Sequence, residues 1–324
     1  MARTLAQREN SDGFVKAGEL IELRQSGPLT LHDRRVLNLL VRWAGPRIAE
    51  DVPHLIPMRE LRGSHKGEER VVESIVRLMG TIVEIPTLDS KGRRATRRTQ
   101  LLADTTTTDD ESNPAGEVRY SFSRTMREIF QSSNYWGRIK PSVMFAFSSK
   151  YALTLYETLC LRRNLDKNEW EFSVEDFRQV LGVEDGKLEG FPQLKQCAIT
   201  PAVEEINALS DFKVAIEPIR VGGTPRGKLV GFRVRWERKE PDEWLATLDE
   251  LARPKAGRKA RLTEGAGERR AAGRDVGETR PEPTPRPEAP RQVPTERQPP
   301  TEAQKAKAKA MVDELARKLK SVPG

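Results

Sequence analysis

The chain has 324 residues, 36% hydrophobic and 32% charged, with a formal net charge of +8; that is enough apolar content for two modest domains but too little for the whole chain to be packed core. No apolar run approaches the about 18 residues that span a bilayer, and the N-terminal MARTLAQREN lacks an apolar signal core, so the composition predicts a cytoplasmic protein with no membrane partner. The charge excess is local: 18 of the 56 Lys and Arg and 10 of the 48 Asp and Glu lie from Arg253 onward, leaving 38 of each before it, so any nucleic-acid contact made by the body must come from clustering.

Residues 1–13 are polar and read as a flexible N-terminus. Phe14 to Leu23 suits either a strand or the first turns of a helix. A helix is then defined by Thr30 as N-cap with Asp33 three residues on, by Val36, Leu37, Leu40 and Ala44 at helical spacing, and by a Gly45-Pro46 stop. A short helix at Pro57 to Leu61 and the turn RGSHKG lead to a third helix, Glu68 to Met79, with Val71, Val72, Ile75, Leu78 and Met79 inward and Gly80 at its end. Thr81 to Ile85 is β-branched and predicts a strand, with Gln100 to Ala103 and Val118 to Phe122 as candidate partners. Three helices followed by a hairpin is the order of a winged helix. Between the strands, Lys91 to Arg98 (KGRRATRR) and the polar run Thr105 to Gly116 read as loops, the second unable to pack. A helix at Arg124 to Gln131 and an aromatic connector, NYWGRIKPSVMF, close this first half, residues 14–146.

The second half, residues 147–240, repeats the order. Ser148 or Ser149 caps a helix with Ala152, Leu155, Tyr156, Leu159 and Cys160 on one face. Ser173 caps a short helix stopped by Gly182, and Phe191 to Leu209 reads as the third helix. Pro201 leaves two options there: a kink, or a new helix with Thr200 as N-cap and Pro201 at N1. Phe212 to Arg220 and Lys228 to Glu237 form a hairpin around VGGTPRG. The fold class is therefore α+β, two tandem winged-helix domains. Residues 241–300 read as a short amphipathic extension and, from about Arg253, a disordered basic linker. In residues 301–324, Thr301 to Lys320 regains helical character through a Thr301/Gln304 capping box and a thin Met311, Leu315, Leu319 stripe.

Motifs for catalysis are missing: there is no GxxxxGK[ST], HExxH or GxSxG, and His32, His54 and His65 form no metal-binding pair that could assist a tyrosine nucleophile. The residues call for no cofactor and no metal, and Cys160 and Cys197 read as packed free thiols. Double-stranded DNA is the partner the pattern favours. With Ile75 at the centre of the buried face, the opposite face of the third helix and its approach carries Lys66, Arg70, Glu73 and Arg77 toward the major groove. Arg70 and Arg77 are expected to read bases. The wing supplies Lys91, Arg93, Arg94, Arg97 and Arg98 for phosphates. The second third-helix offers Gln193, Lys195, Gln196 and Thr200, with Glu204 and Asn207 along the same polar edge, and the second wing offers Arg220, Arg226 and Lys228.

The blocks LTLHDRRVLNLL, SSKYALTLYETL, FSVEDFRQVLGV and ITPAVEEIN together resemble those of iteron-type plasmid replication initiators with tandem winged-helix domains, over roughly residues 14–237. In that family the position of Lys195, Gln196 and Cys197 is commonly more basic; here only Lys195 keeps that character. The resemblance implies a non-enzymatic protein that binds directly repeated origin sites (iterons) as a monomer and promotes origin melting. It also implies recruitment of the host initiator protein and replicative helicase, and a homodimer, in equilibrium with the monomer and formed largely through the N-terminal domain, that represses its own promoter. A winged-helix transcriptional regulator would share both domains, and a nicking replication enzyme is the remaining alternative.

Overall fold

The computed structural model describes residues 13–26, 29–62, 69–107, 116–163, 167–258 and 260–261. The predicted flexible N-terminus up to residue 12, the core of the predicted polar loop, the greater part of the linker and the terminal helix at residues 301–320 lie outside the described residues.

The first half opens with β1 (Phe14–Ala17), one turn of helix α1 (Gly18–Ile21) and β2 (Arg24–Ser26), so the ambiguous segment is both strand and helix. Helix α2 (Leu31–Ala44) starts at the predicted N-cap, and Asp33 closes a capping box there: the Asp33 amide donates to Thr30 Oγ1 (3.2 Å) and the Thr30 amide to Asp33 Oδ2 (2.8 Å). Its predicted stripe of Val36, Leu37, Leu40 and Ala44 is buried. Next come β3 (His54–Pro57), α3 (Met58–Arg62) and α4 (Glu69–Gly80), and then β4 (Ile82–Leu88) and β5 (Arg94–Gln100), an antiparallel pair in the register Glu84 to Arg98. This corrects the predicted pairing, because the basic run is itself most of the partner strand. The turn between them is self-contained: the Asp89 carboxylate accepts the amides of Lys91 and Arg93, both at 2.9 Å, and Gly92 takes φ +73°. A hairpin closed so locally costs less chain entropy than the longer connection the pattern suggested. Strand β6 (Leu102–Thr107) instead pairs with β7 (Glu117–Phe122), which pairs with β3. Helix α5 (Arg124–Ser132), strand β8 (Trp136–Ile139), paired with β1, and helix α6 (Pro141–Ala146) complete the half.

In the second half, α7 (Lys150–Arg162) is followed by β9 (Glu169–Ser173), α8 (Val174–Leu181), α9 (Phe191–Leu194), α10 (Thr200–Leu209), β10 (Phe212–Arg220) and β11 (Leu229–Arg238). Strand β9, absent from the sequence reading, joins the wing as the sheet β10-β11-β9. The repeat holds for α2 and α7, α3 and α8, α4 and the α9–α10 segment, and the two wings. It breaks at β3, which holds the position of β9 in the order but pairs with β7 rather than with its wing.

Helix α7 is buried on every side from Ala152 to Cys160, as a helix between two packed units must be. It touches β8, α1 and α2 of the first half and α8 and α10 of the second. Its Glu157 carboxylate meets Lys16 Nζ (2.8 Å) and Asn38 Nδ2 (2.6 Å), and Lys16 also donates to Asn38 Oδ1 (3.0 Å), all three side chains being buried. Gly182, the left-handed cap of α8 at φ +66°, lies so close to Arg34 that a Cβ there would sit 2.6 Å from Nη2. Burial pulls the Arg34 guanidinium below its ordinary range, against Glu157 and Asp33, which raise it.

The last helix, α11 (Pro241–Ala252), contacts α10 and α6. The chain then stays docked where the sequence suggested disorder: Arg258, 7% exposed, donates to the carbonyls of Ala146 (3.2 Å), Glu250 (3.3 Å) and Arg253 (3.3 Å), while Lys255 donates to Phe145 (3.0 Å) and Arg261 pairs with Glu250 (2.8 Å). Arg35 of α2 adds bonds to the carbonyls of Met144, Phe145 and Phe147. Three cations, one from α2 and two from the segment after α11, thus satisfy the C-terminal carbonyls of α6, which would otherwise lack donors.

Candidate nucleic-acid interface

The buried stripe of α4 is Val71, Ser74, Ile75 and Leu78. The outward face is accordingly rotated from the one predicted, onto Val72, Glu73 and Val76, with Val76 62% exposed and Val72 at the boundary rather than inward. Asp33 sets this rotation. Its side chain has no exposed surface, and Arg77 clasps it through Nε (3.0 and 3.2 Å) and Nη2 (2.9 Å). Burial pushes the Asp33 carboxyl up, but bonds from Arg77, Ser74 and Thr30 outweigh it and hold the group below its ordinary range; the same pair raises Arg77. Arg77 therefore fixes α4 to the start of α2, a role its sequence position did not reveal. Arg70 and Glu73 are exposed on α4, and Lys66 lies outside the described residues.

The wing cations are not equivalent. Arg93 pairs with Asp89 (2.7 Å), Arg97 with Glu128 (2.8 Å) and Arg98 with the cross-strand Glu84 (2.8 Å). Lys91 and Arg94 are exposed and have no carboxylate partner among the described residues.

In the second domain, α9 and α10 run on through a π turn over Lys195–Ile199, so of the two options the helix is continuous, with a local irregularity before Pro201 rather than a new N-cap at Thr200. Gln193, Lys195 and Gln196 are exposed, Thr200 is half-buried, and Cys197 is exposed instead of packed. Cys160 is packed as expected, and burial pushes its thiol well up. Asn207 bonds the Val214 backbone in both directions (2.7 and 3.1 Å), anchoring the helix to its wing. Arg220 is likewise structural: it donates to the Gly227 carbonyl (2.8 Å) and lies 5.1 Å from the Phe191 ring centroid. Arg226 and Lys228 stay exposed at the wing tip. The outer face of the sheet is charge-matched, with Arg233 on Glu171 (2.6 Å) and Arg235 on both Glu169 (2.5 Å) and Glu217 (3.0 Å), which leaves the tip as the basic end of this wing.

The two signature blocks meet in space. The buried Glu205 carboxylate, from AVEEIN, accepts the amides of Ser148 (3.0 Å) and Ser149 (3.2 Å), from SSKYAL, and so holds the start of α7. No helix among the described residues is long and apolar enough to cross a membrane. Two helix-and-wing units, each with an exposed third helix and unpaired cations at its wing, are suited to laying a helix in a groove and a hairpin along the flanking phosphates.

Comparison with known families finds two winged-helix units, the first match running past the expected boundary at residue 146 through Cys160 of α7. A family model described as Initiator Replication protein, WH1 matches residues 14–160, and one described as Initiator Rep protein, WH2 matches residues 173–234, together well over half of the chain. Among curated proteins nothing matches.

Proposed function

Because the chain belongs to the initiator replication protein family, DNA-binding initiators of plasmid replication with two winged-helix domains, we propose that it binds directly repeated origin sites as a monomer. One domain sits in each of two successive major grooves. The observation that carries this reading is the doubled arrangement of an exposed third helix beside a wing whose free cations are Lys91 and Arg94 in one domain and Arg226 and Lys228 in the other. On α4, Arg70, Glu73 and Val76 face the bases, while Arg77 positions the helix. Gln193, Lys195 and Gln196 serve the second groove.

The work is done by binding alone: strain in the bound DNA promotes opening of adjacent A·T-rich sequence, and the host initiator protein and replicative helicase are recruited to it. A dimer formed through the first domain binds an inverted repeat at the gene's own promoter and represses it.

The test is footprinting of purified protein on the DNA flanking its gene. Protection of several direct repeats of about 20 bp, two helical turns for two tandem modules, is expected, and the same DNA cloned with the gene should replicate. Protection of an inverted repeat alone, with no origin activity, would make the protein a transcriptional regulator; covalent attachment to nicked DNA would refute binding as its sole activity.

A further inference from the structure

The π turn in the second recognition helix has a sequence cause and a consequence for reading. The Thr200 amide reaches back five residues to the Lys195 carbonyl, and Pro201 has no amide to offer the carbonyl of Cys197. Backbone angles stay helical on both sides, from Leu194 (φ −58°, ψ −45°) to Thr200 (φ −58°, ψ −50°), so the helix is widened rather than broken.

Lys195 lies seven residues before Ala202 and eleven before Ile206, both with no exposed surface. In an uninterrupted α-helix that spacing would stack Lys195 on the buried stripe. The wider turn places Leu194 there instead, at 2% exposure, and turns Lys195, Gln196 and Cys197 outward as three consecutive exposed side chains between buried Leu194 and buried Ala198.

We propose that Pro201 is a specificity-determining positioning residue: by enforcing the π turn it keeps Lys195 off the buried stripe and presents it, flanked by Gln196 and Cys197, on the exposed side of the helix that meets the second groove. This rests on the reading of α9–α10 as a DNA recognition helix. Pro201 itself touches no DNA. Its effect is to choose which side chains do.

The experiment uses the full chain and duplexes selected from a random-sequence pool, comparing wild type with Pro201→Ala. The alanine returns an amide to the Cys197 carbonyl and lets the segment close toward α-helical geometry. The selected base preference should then change over one contiguous half of the site, with about tenfold or greater loss of discrimination there. The other half, and the salt dependence of binding, should stay as in wild type, since the wing cations are untouched. A folded Pro201→Ala protein that selects the wild-type site with wild-type discrimination overturns the inference. If wild type selects no site at all, it is the recognition-helix reading that fails.

Should Pro201→Ala not fold, Lys195→Ala in the wild-type background decides. A side chain held outward by the π turn is removed without loss of thermal stability but with a changed preference at one or two adjacent base pairs. Unchanged preference overturns the proposal.

Discussion

The clasp between Arg77 and Asp33 can be tested by a double-mutant cycle. Breaking a fully buried ion pair costs about 3–5 kcal/mol, and an exposed one contributes at most about 1 kcal/mol. Here the Asp33 side chain is closed off and that of Arg77 is 39% exposed, so Arg77→Ala is expected to cost about 2 kcal/mol, between those limits. Asp33→Ala also removes the carboxylate half of the capping box, worth about 1 kcal/mol, for a total near 3 kcal/mol. Measured by urea unfolding, the two changes should be non-additive by about 1–2 kcal/mol. Because the folded carboxyl is held below its unfolded value of about 3.9, its stabilisation is complete above that pH and is lost as pH falls through the lower folded value. The stability gap between wild type and Asp33→Asn should therefore be flat from about pH 5 upward and close on acidification below about pH 4. In DNA binding, Arg77→Ala should weaken many sites alike through a misplaced α4. Additivity within about 0.5 kcal/mol, or relaxed preference at a single base pair, would return Arg77 to the role of base reader.

Four further outcomes are expected. A maleimide should label Cys197 and leave Cys160 unmodified in the native protein, and bound repeat DNA should protect Cys197; labelling unaffected by DNA would place the second recognition helix away from the groove. Replacing both Lys91 and Arg94 by Ala should reduce the slope of log affinity against log salt by about 1.8, two phosphate contacts' worth, and Arg97→Ala should reduce it less, because Arg97 must first leave Glu128. Val76, exposed on α4, should contact a thymine methyl: replacing thymine by uracil at one or two positions of the repeat should weaken wild type but not Val76→Ala, as read by uracil interference. Arg258→Ala should cost about 1–3 kcal/mol by leaving buried carbonyls without donors and should expose the connector around residue 146 to limited proteolysis.

What the sequence made legible were features carried by neighbouring residues. Thr30 with Asp33 announced an N-cap, Gly182 a helix stop, and Ala152 to Cys160 a buried face; each signal lies within one element and each was found. Periodicity could not reveal partners from distant parts of the chain. Nothing near Arg77 hints at a carboxylate 44 residues earlier, so a helix face centred on Ile75 was given an arginine that packs inward and lost a valine that faces out. Strand β9 was missed because its outward Glu169 and Glu171 look like loop residues until Arg235 and Arg233 lie opposite them. The SSKYAL and AVEEIN blocks were recognisable because they are structural: Glu205 holds Ser148 and Ser149, and Asn207 holds the wing. The exposed side chains of the third helices, which packing constrains least, carried the weakest signal.

The buried contacts between the halves bear on how such a protein could act on DNA. Lys16, Asn38 and Glu157 satisfy one another with almost no solvent access, and removing one partner from such a set costs about 3–5 kcal/mol because it strands a buried charge. Arg35 and Arg258, one before the connector in sequence and one well after it, both bind it. The separation of α4 from the α9–α10 segment is thus a property of the fold rather than of a flexible linker. A protein built this way spends little ordering free energy on each repeat it binds, and any mismatch between its two reading helices and relaxed B-form spacing has to be absorbed by the softer component. For a duplex held at two successive grooves that component is the DNA, whose bending or unwinding costs least at flexible, A·T-rich steps. On the proposed reading, rigidity between the domains is what allows binding energy to be transferred into strain at the origin.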